Sequence, residues 1–175
     1  MKKFTLFDLM LMTMYGALMY LLDIGLEFLP NVHGVAMLIC TITLIYRYKA
    51  LLAIGVYLAL TAFTSVSAVL WWVPYVYIFP LLWLCVMLIP KRASLRLKIA
   101  LSTVFAGLNG LLFGTLYAPY QAILMGYDWQ KTFTWILVGL PWDVVHMCSN
   151  IVMCALIYPL YTTITKLEAT RISKR

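Results

Sequence analysis

The sequence predicts an all-α membrane protein, a compact bundle of six transmembrane helices with both termini in the cytoplasm, and three observations carry that reading. Of its 175 residues 65% are apolar and 11% charged, which leaves a soluble domain without a polar exterior. The chain divides into apolar runs near the length that crosses a hydrocarbon core, about 20 residues, joined by short polar breaks. When the runs are counted as alternating crossings, twelve of the 13 Lys and Arg residues fall on one side: Lys2, Lys3, Arg47, Lys49, Lys91, Arg92, Arg96, Lys98, Lys166, Arg171, Lys174 and Arg175. Only Lys131 is left outside. Positive charge is retained in the cytoplasm during insertion, so an odd number of crossings would scramble this pattern.

The runs form a single membrane domain, 1–175, with spans expected at 5–29, 35–46, 50–70, 73–89, 99–117 and 132–164. The first carries Asp8, Asp23 and Glu27 and stops at Pro30-Asn31, a turn-forming dipeptide. Its apolar run outlasts a signal peptide and meets no small-residue cleavage site, so it is expected to remain as a helix. The second is short for a full crossing, for which tilt or local thinning of the bilayer is expected. Trp71, Trp72 and the tyrosines after them suit an interface at the start of the fourth. Pro80 within that span removes a backbone donor and predicts a kink. The break PKRASLRLK at 90–98, basic and free of acid, belongs in the cytoplasm. Gly110 and Gly114 in the fifth span have the spacing that lets helix backbones approach closely. The stretch from Ala118 to Lys131 reads as an amphipathic loop along the outer surface. The sixth run is too long for one simple crossing, and Pro141 marks an expected kink or the start of its embedded part.

Cys40, Cys85, Cys148 and Cys154 stand in apolar runs without a C-x-x-C pair, which predicts buried hydrophobes rather than a zinc site or disulfide framework. The charge of +7 sits in short clusters between apolar runs, so it sets orientation and indicates no nucleic-acid partner. Little chain remains for a soluble catalytic domain.

Ionisable groups inside a bilayer cost about 2.5 to 3.5 kcal/mol each on insertion scales, so each calls for a partner or a function. Asp143, His146 and Asn150 recur at i, i+3 and i+7, which places them along one face of the sixth helix. Turned inward, they offer a carboxylate, an imidazole and an amide to a small polar ligand. Asp23 and Glu27 lie one turn apart near the outer end of the first helix, and Asn109 lies within the fifth. Trp142, Trp71, Trp72, Tyr75 and Tyr77 are candidates for aromatic walls. The plainer alternative pairs Asp143 with His146, leaves Asp23 and Glu27 among headgroups or water, assigns the aromatics to an interfacial belt, and has Asn109 bond a neighbouring helix. With Asp23, Glu27, Asp128 and Asp143 set against one lysine in the outer half, a neutral or cationic heteroaromatic ligand is favoured over an anion.

The chain resembles the substrate-specific (S) components of energy-coupling factor transporters, the vitamin uptake systems of bacteria and archaea. The likeness rests on six spans with both ends inside, LPNVHGV after the first span, the block WWVPYVYIFPLLW, and W-x-x-x-G-x-P-W-D-x-x-H-x-x-x-N from Trp135 to Asn150. The resemblance implies a multi-pass protein of the bacterial cytoplasmic membrane that captures a vitamin or similar micronutrient near the outer face. It implies a covering loop of Pro30, Asn31, Val32, His33 and Gly34. It also implies association with a transmembrane coupling subunit and two cytoplasmic ATPases, with release inside by toppling in the membrane. This chain has no G-x-x-x-x-G-K-[ST] phosphate loop, so ATP hydrolysis is assigned to the partners and no cofactor to the chain itself. The family docks through A-x-x-x-A on the first helix; here Thr13 and Ala17, with Gly16 beside them, are the nearest equivalent. Nickel and cobalt members carry a histidine near the chain start, where this sequence has Met1-Lys2-Lys3, so a metal substrate is not expected. Thiamine, its pyrimidine precursor and pyridoxine-like rings suit the acidic lining.

Two other classes compete. A scaffold resembling the rod-shape determinant membrane subunit needs no ligand pocket, and the polar stripe argues against it. An intramembrane enzyme using Asp143 and His146 lacks a nucleophile elbow, paired metal ligands or a second carboxylate at catalytic spacing.

Overall fold

The computed structural model describes residues 4–64 and 68–173, the side chains of 68–71 and 172–173 excepted. Its elements are α1 (Leu6–Leu26), α2 (Val35–Tyr46), α3 (Ala50–Thr64), α4 (Ala68–Met87), α5 (Leu95–Leu111), α6 (Phe113–Met125), α7 (Trp129–Met153) and α8 (Ile157–Ser173). Short 3-10 turns, Arg47–Lys49 and Cys154–Leu156, link α2 to α3 and α7 to α8. The fold is all-helical among the described residues. Four segments, Leu6–Leu26, Val35–Thr64, Leu95–Met125 and Trp129–Arg171, are long and apolar enough to cross a membrane, and Trp72–Met87 is a shorter apolar helix. The molecule is a membrane-embedded helical protein.

Local chemistry sets the helix ends. Thr5 and Asp8 form a reciprocal capping box at the start of α1. Ser94 accepts from the Leu97 amide to start α5, and Asp128 accepts from the Lys131 amide at 2.8 Å to start α7. Gly126, at φ 65°, closes α6 in the left-handed conformation that glycine adopts without steric cost.

Named contacts set the directions of the helices. Asp8 in α1 meets Lys49 at 2.7 Å at one end, and Asp23 in the same helix accepts from the Tyr57 hydroxyl of α3 at 2.9 Å at the other. Helices α1 and α3 are therefore parallel, and they are closest where Gly16 lies over Ala53 and Val56. Between them in sequence the chain reverses at Arg47, a non-glycine residue at φ 57°. The Arg47 guanidinium reaches the Ile89 carbonyl at 3.1 Å and the Met87 carbonyl, satisfying acceptors left free where α4 ends. The Trp83 indole N–H returns a bond to the Arg47 carbonyl at 3.2 Å. Near the other chain end, the Arg171 guanidinium sits 3.3 Å from the Phe7 ring centroid, so the beginning of α1 and the end of α8 meet at this same basic end.

Helix α2 is the axis of the bundle. Ten consecutive residues, Val35 to Leu44, are buried, and the helix touches α1, α3, α4, α5, α7 and α8. Its twelve residues coincide with the expected span 35–46. A sheath of other helices surrounds it, so its length answers to its neighbours rather than to the bilayer. By contrast Leu6, Met10, Met14 and Leu21 on α1, and Val138, Trp142 and Val152 on α7, are exposed. Such apolar faces are stable in hydrocarbon and not in water.

One expectation about the second half of the chain is corrected. The stretch from Ala118, read as a surface loop, is helical to Met125, because Gly114, Tyr117 and Ala118 are buried and α6 packs against α4 and α7. Tertiary packing decides a segment whose own signal is ambiguous. The last run starts at Trp129 and passes through Pro141 as one helix, and its interruption lies at Cys154. Part of the third expected span, residues 65–67, lies outside the described residues. Cys40 and Cys154 are buried, Cys85 is half-buried and Cys148 is exposed.

Candidate functional site

The last turn of α1 and the turn after it border a cleft of about 360 Å³ at the end opposite the Asp8–Lys49 pair. Tyr20 and Asp23 line it from α1, Glu27 from the cap of that helix, Asn31 and His33 from the connection to α2, and Tyr75 from α4. None of the described residues lining it is Lys or Arg. Beneath the cleft is a gap of about 10 Å³, room for roughly one water. Asp23, His33 and Tyr75 border both spaces, and Asn109 and His146 border only the inner one.

The turn geometry aims His33 inward. Leu29 and Val32 donate to Leu26 and Leu29 carbonyls at 2.8 and 3.1 Å, and Asn31 takes φ 60°, a conformation asparagine tolerates. The His33 amide donates to Ser149 Oγ of α7 at 3.3 Å. Its imidazole then lies between two elements: Nδ1 is 3.1 Å from Asp23 Oδ1, and the ring centroid is 5.1 Å from that of His146. A carboxylate only accepts, so the bond to Asp23 requires the proton on Nδ1. The other Asp23 oxygen accepts from Tyr57. Aromatic edges wall the gap: Phe113 against His146 at 4.9 Å, Tyr75 against Phe79 at 5.0 Å and against Phe113 at 5.9 Å.

The stripe on α7 faces the bundle interior, and its three residues are buried, but they do different things. Asp143 Oδ1 accepts the Gly114 amide at 3.0 Å, and Asn150 Nδ2 donates to the Ala106 carbonyl at 3.0 Å. Both bonds tie α7 to the α5–α6 rod at a seam of glycines. A Cβ on Gly110 would stand 2.8 Å from the Met147 amide nitrogen, and one on Gly114 would stand 2.5 Å from Asp143 Oδ2. Asp143 and Asn150 thus each commit one polar atom to the α5–α6 rod, and Asp143 does not pair with His146 as the plainer alternative had it. Each still has one buried oxygen without a protein partner, as does His146 Nδ1. His146 alone of the three borders the gap.

Other expected residues separate likewise. Glu27, Tyr75, Pro30, Asn31 and His33 line the cleft, and Asn109 borders the gap while its amide donates to the Ile78 carbonyl at 3.4 Å. Trp142 is 57% exposed on the outer face of α7, because it directly precedes the inward Asp143 on the helix. Trp72 donates its indole N–H to the Leu58 carbonyl at 2.7 Å, tying α4 to α3, and Tyr77 bonds the Leu116 carbonyl at 2.8 Å. Neither lines the cleft. The Trp71 side chain lies outside the described residues. Within the covering loop Val32 turns the other way, against Val144, Val145 and Cys148, and Gly34 caps α2 close to Leu22. Of the expected docking residues, Gly16 is buried between α1 and α3, where a Cβ would meet the Ala53 carbonyl at 2.6 Å. It is unavailable to a partner. Thr13 is exposed and Ala17 half-buried.

Tyr57, Phe113 and Ser149 were not legible as site residues. Tyr57 is the sole tyrosine in α3, which is the one sequence signal that marks it. Phe113 takes its place only because the helix breaks at Leu112. No protein-family profile, curated protein or solved structure matches the chain. The two spaces together present carboxylates, imidazoles and aromatic edges, with no Lys or Arg among the described residues that line them.

Proposed function

We propose that this chain is a membrane-embedded capture subunit for a small neutral or cationic solute. More particularly, it is proposed to act as the substrate-specific component of an energy-coupling factor importer in a bacterial cytoplasmic membrane, taking a heteroaromatic micronutrient of thiamine, pyrimidine or pyridoxine type. The observation that carries the reading is the cleft bordered by α1, α3 and α4, whose carboxylate and imidazole lining is Asp23, Glu27 and His33. Two carboxylates without a fixed cation attract positive charge and repel phosphate or carboxylate. In this reading the chain crosses six times, with α5 and α6 as one crossing and α7 leading into α8. The basic end that gathers Arg47, Lys49 and Arg171 faces the cytoplasm, and the cleft opens outward. A coupling subunit and two ATPases supply the energy. Thr13 and Ala17 on α1 remain candidates for the docking face.

Mass spectrometry of small molecules retained by the purified protein tests this. A bound heteroaromatic compound, lost at least ten-fold in Asp23→Asn, is expected. An empty protein that copurifies with cell-wall assembly proteins would instead favour the scaffold reading, for which the direct packing of Asp143 and Asn150 is the supporting observation.

A further inference from the structure

We infer that His33 is a tethered stand-in for the solute: its imidazole occupies the place that a planar, N–H-bearing ring of the substrate takes when it binds. The inference rests on the capture reading above and deepens it by naming the substrate's recognised group.

Four observations converge on this residue. His33 borders both the open cleft and the inner gap, as Asp23 and Tyr75 do, and so stands where the two spaces adjoin. The ring is held as a ligand ring would be, donating to Asp23 Oδ1 at 3.1 Å and lying 5.1 Å from the His146 ring. Beyond it His146 is only 6% exposed, and its Nδ1 has no protein partner, a cost that a donor on an entering solute would remove. Finally, the backbone of His33 is fixed independently, through its amide to Ser149. A rotation of the side chain would therefore move the ring without breaking this anchor of the loop.

A tethered ring competes at high effective concentration without being consumed. Affinity for the solute is then reduced by the fraction of molecules in which the ring is seated, so removing the ring strengthens binding. A residue that served only to close the loop would have the opposite effect. The recognised group follows from the bond that is exchanged: a ring nitrogen carrying a proton, presented edge-on to Asp23, with a flat body that fits between Tyr75, Phe113 and His146.

Imidazole itself is the probe, with 1,3-dimethylimidazolium, which has no N–H, as its control. Titration calorimetry is run on the full chain in lipid nanodiscs for the wild type, His33→Ala and His33→Ala/Asp23→Asn. Expected is saturable imidazole binding to His33→Ala at least ten-fold tighter than to wild type, lost ten-fold or more in the double variant and for the dimethylated control. Equal binding to wild type and His33→Ala, or binding indifferent to Asp23, would overturn the inference. If His33→Ala does not fold, His33→Asn replaces it; having lost the ring, it must also bind imidazole more tightly than wild type, and failure to do so counts equally against the inference. Competition with the retained solute separates the two readings. A solute that binds without displacing imidazole from the variant sinks the stand-in role and leaves the capture function standing. Imidazole binding in a protein that retains no solute at all sinks the capture function instead.

Discussion

Asp143 of α7 accepts the backbone N–H of Gly114 in the first turn of α6, 3.0 Å away. The α5–α6 rod breaks at Leu112, and a new helix begins with amide groups that have no partner within it. A carboxylate on a different helix supplies one. This cap in trans joins the break in one rod to the middle of the next, and the nearby residues inherit their positions from it.

Removing that cap should destabilise the bundle. A buried hydrogen bond to a charged group contributes about 1.5 to 3 kcal/mol, so Asp143→Ala should lower the thermal midpoint of the purified protein, read by intrinsic tryptophan fluorescence. Asp143→Asn keeps an acceptor oxygen and should recover most of the loss. Equal midpoints for alanine and wild type would show that the cap contributes nothing.

The glycine seam gives a sharper contrast. A Cβ on Gly110 meets the Met147 amide at 2.8 Å and the His146 carbonyl carbon at 2.9 Å, and backbone atoms cannot rotate away. Gly110→Ala should cost about 1 to 3 kcal/mol by overpacking, whereas Gly139→Ala on the same pair of rods meets nothing within 4 Å and should be tolerated. Unfolding midpoints of the two variants, measured side by side, decide it; equal midpoints would sink the seam.

On α1, Gly16→Leu should disrupt the fold rather than partner assembly alone, because the residue touches Ala53 and Val56 of its own chain. Thr13→Leu, at an exposed position, should leave the midpoint unchanged and alter only copurification with a coupling subunit. Size-exclusion profiles together with pull-down yields distinguish these outcomes, and a monodisperse Gly16→Leu protein would refute the first.

At the basic end, Asp8 has two roles, capping α1 and pairing with Lys49. Both side chains of the pair are largely buried, at 12% and 16% exposure. Removing one member of a buried pair costs about 3 to 5 kcal/mol, and a lost cap adds roughly 1 kcal/mol. Asp8→Ala should therefore destabilise more than Asp8→Asn, which retains a capping oxygen. The order of the two midpoints is the check.

Asp23 and Tyr57 supply the last test. Tyr57→Phe removes one bond to the carboxylate, worth about 1.5 to 3 kcal/mol in stability, and frees an acceptor facing the cleft. A lowered midpoint with retained solute binding is expected of a residue that supports Asp23, and loss of all binding at an unchanged midpoint would instead make Tyr57 a solute contact.

The inward face of α7 was legible because Asp143, His146 and Asn150 share a helical period in an otherwise apolar run. Their division of labour was not. Whether an inward carboxylate meets a ligand or an amide depends on where the α5–α6 rod breaks, and Leu112 carries no breaker signal. Trp142 was misplaced for a simpler reason: on a helix, a residue beside an inward one projects about 100° away. Gly16 was read as part of a docking face and instead packs on Ala53 and Val56 of its own chain, because small residues mark contact without saying whether the neighbour is the same chain or another.

Composition and hydrophobic run length were enough for a membrane-embedded helical class, since a chain made almost wholly of apolar helices cannot hide all their surfaces against one another. Helix ends with local chemistry, such as the Thr5–Asp8 box, needed nothing further. The burial of α2, the reversal at Arg47 and the meeting of Asp23, His33 and His146 were decided only by packing. Those residues stand 10 and 113 positions apart, and no periodicity within one segment encodes which helices become neighbours.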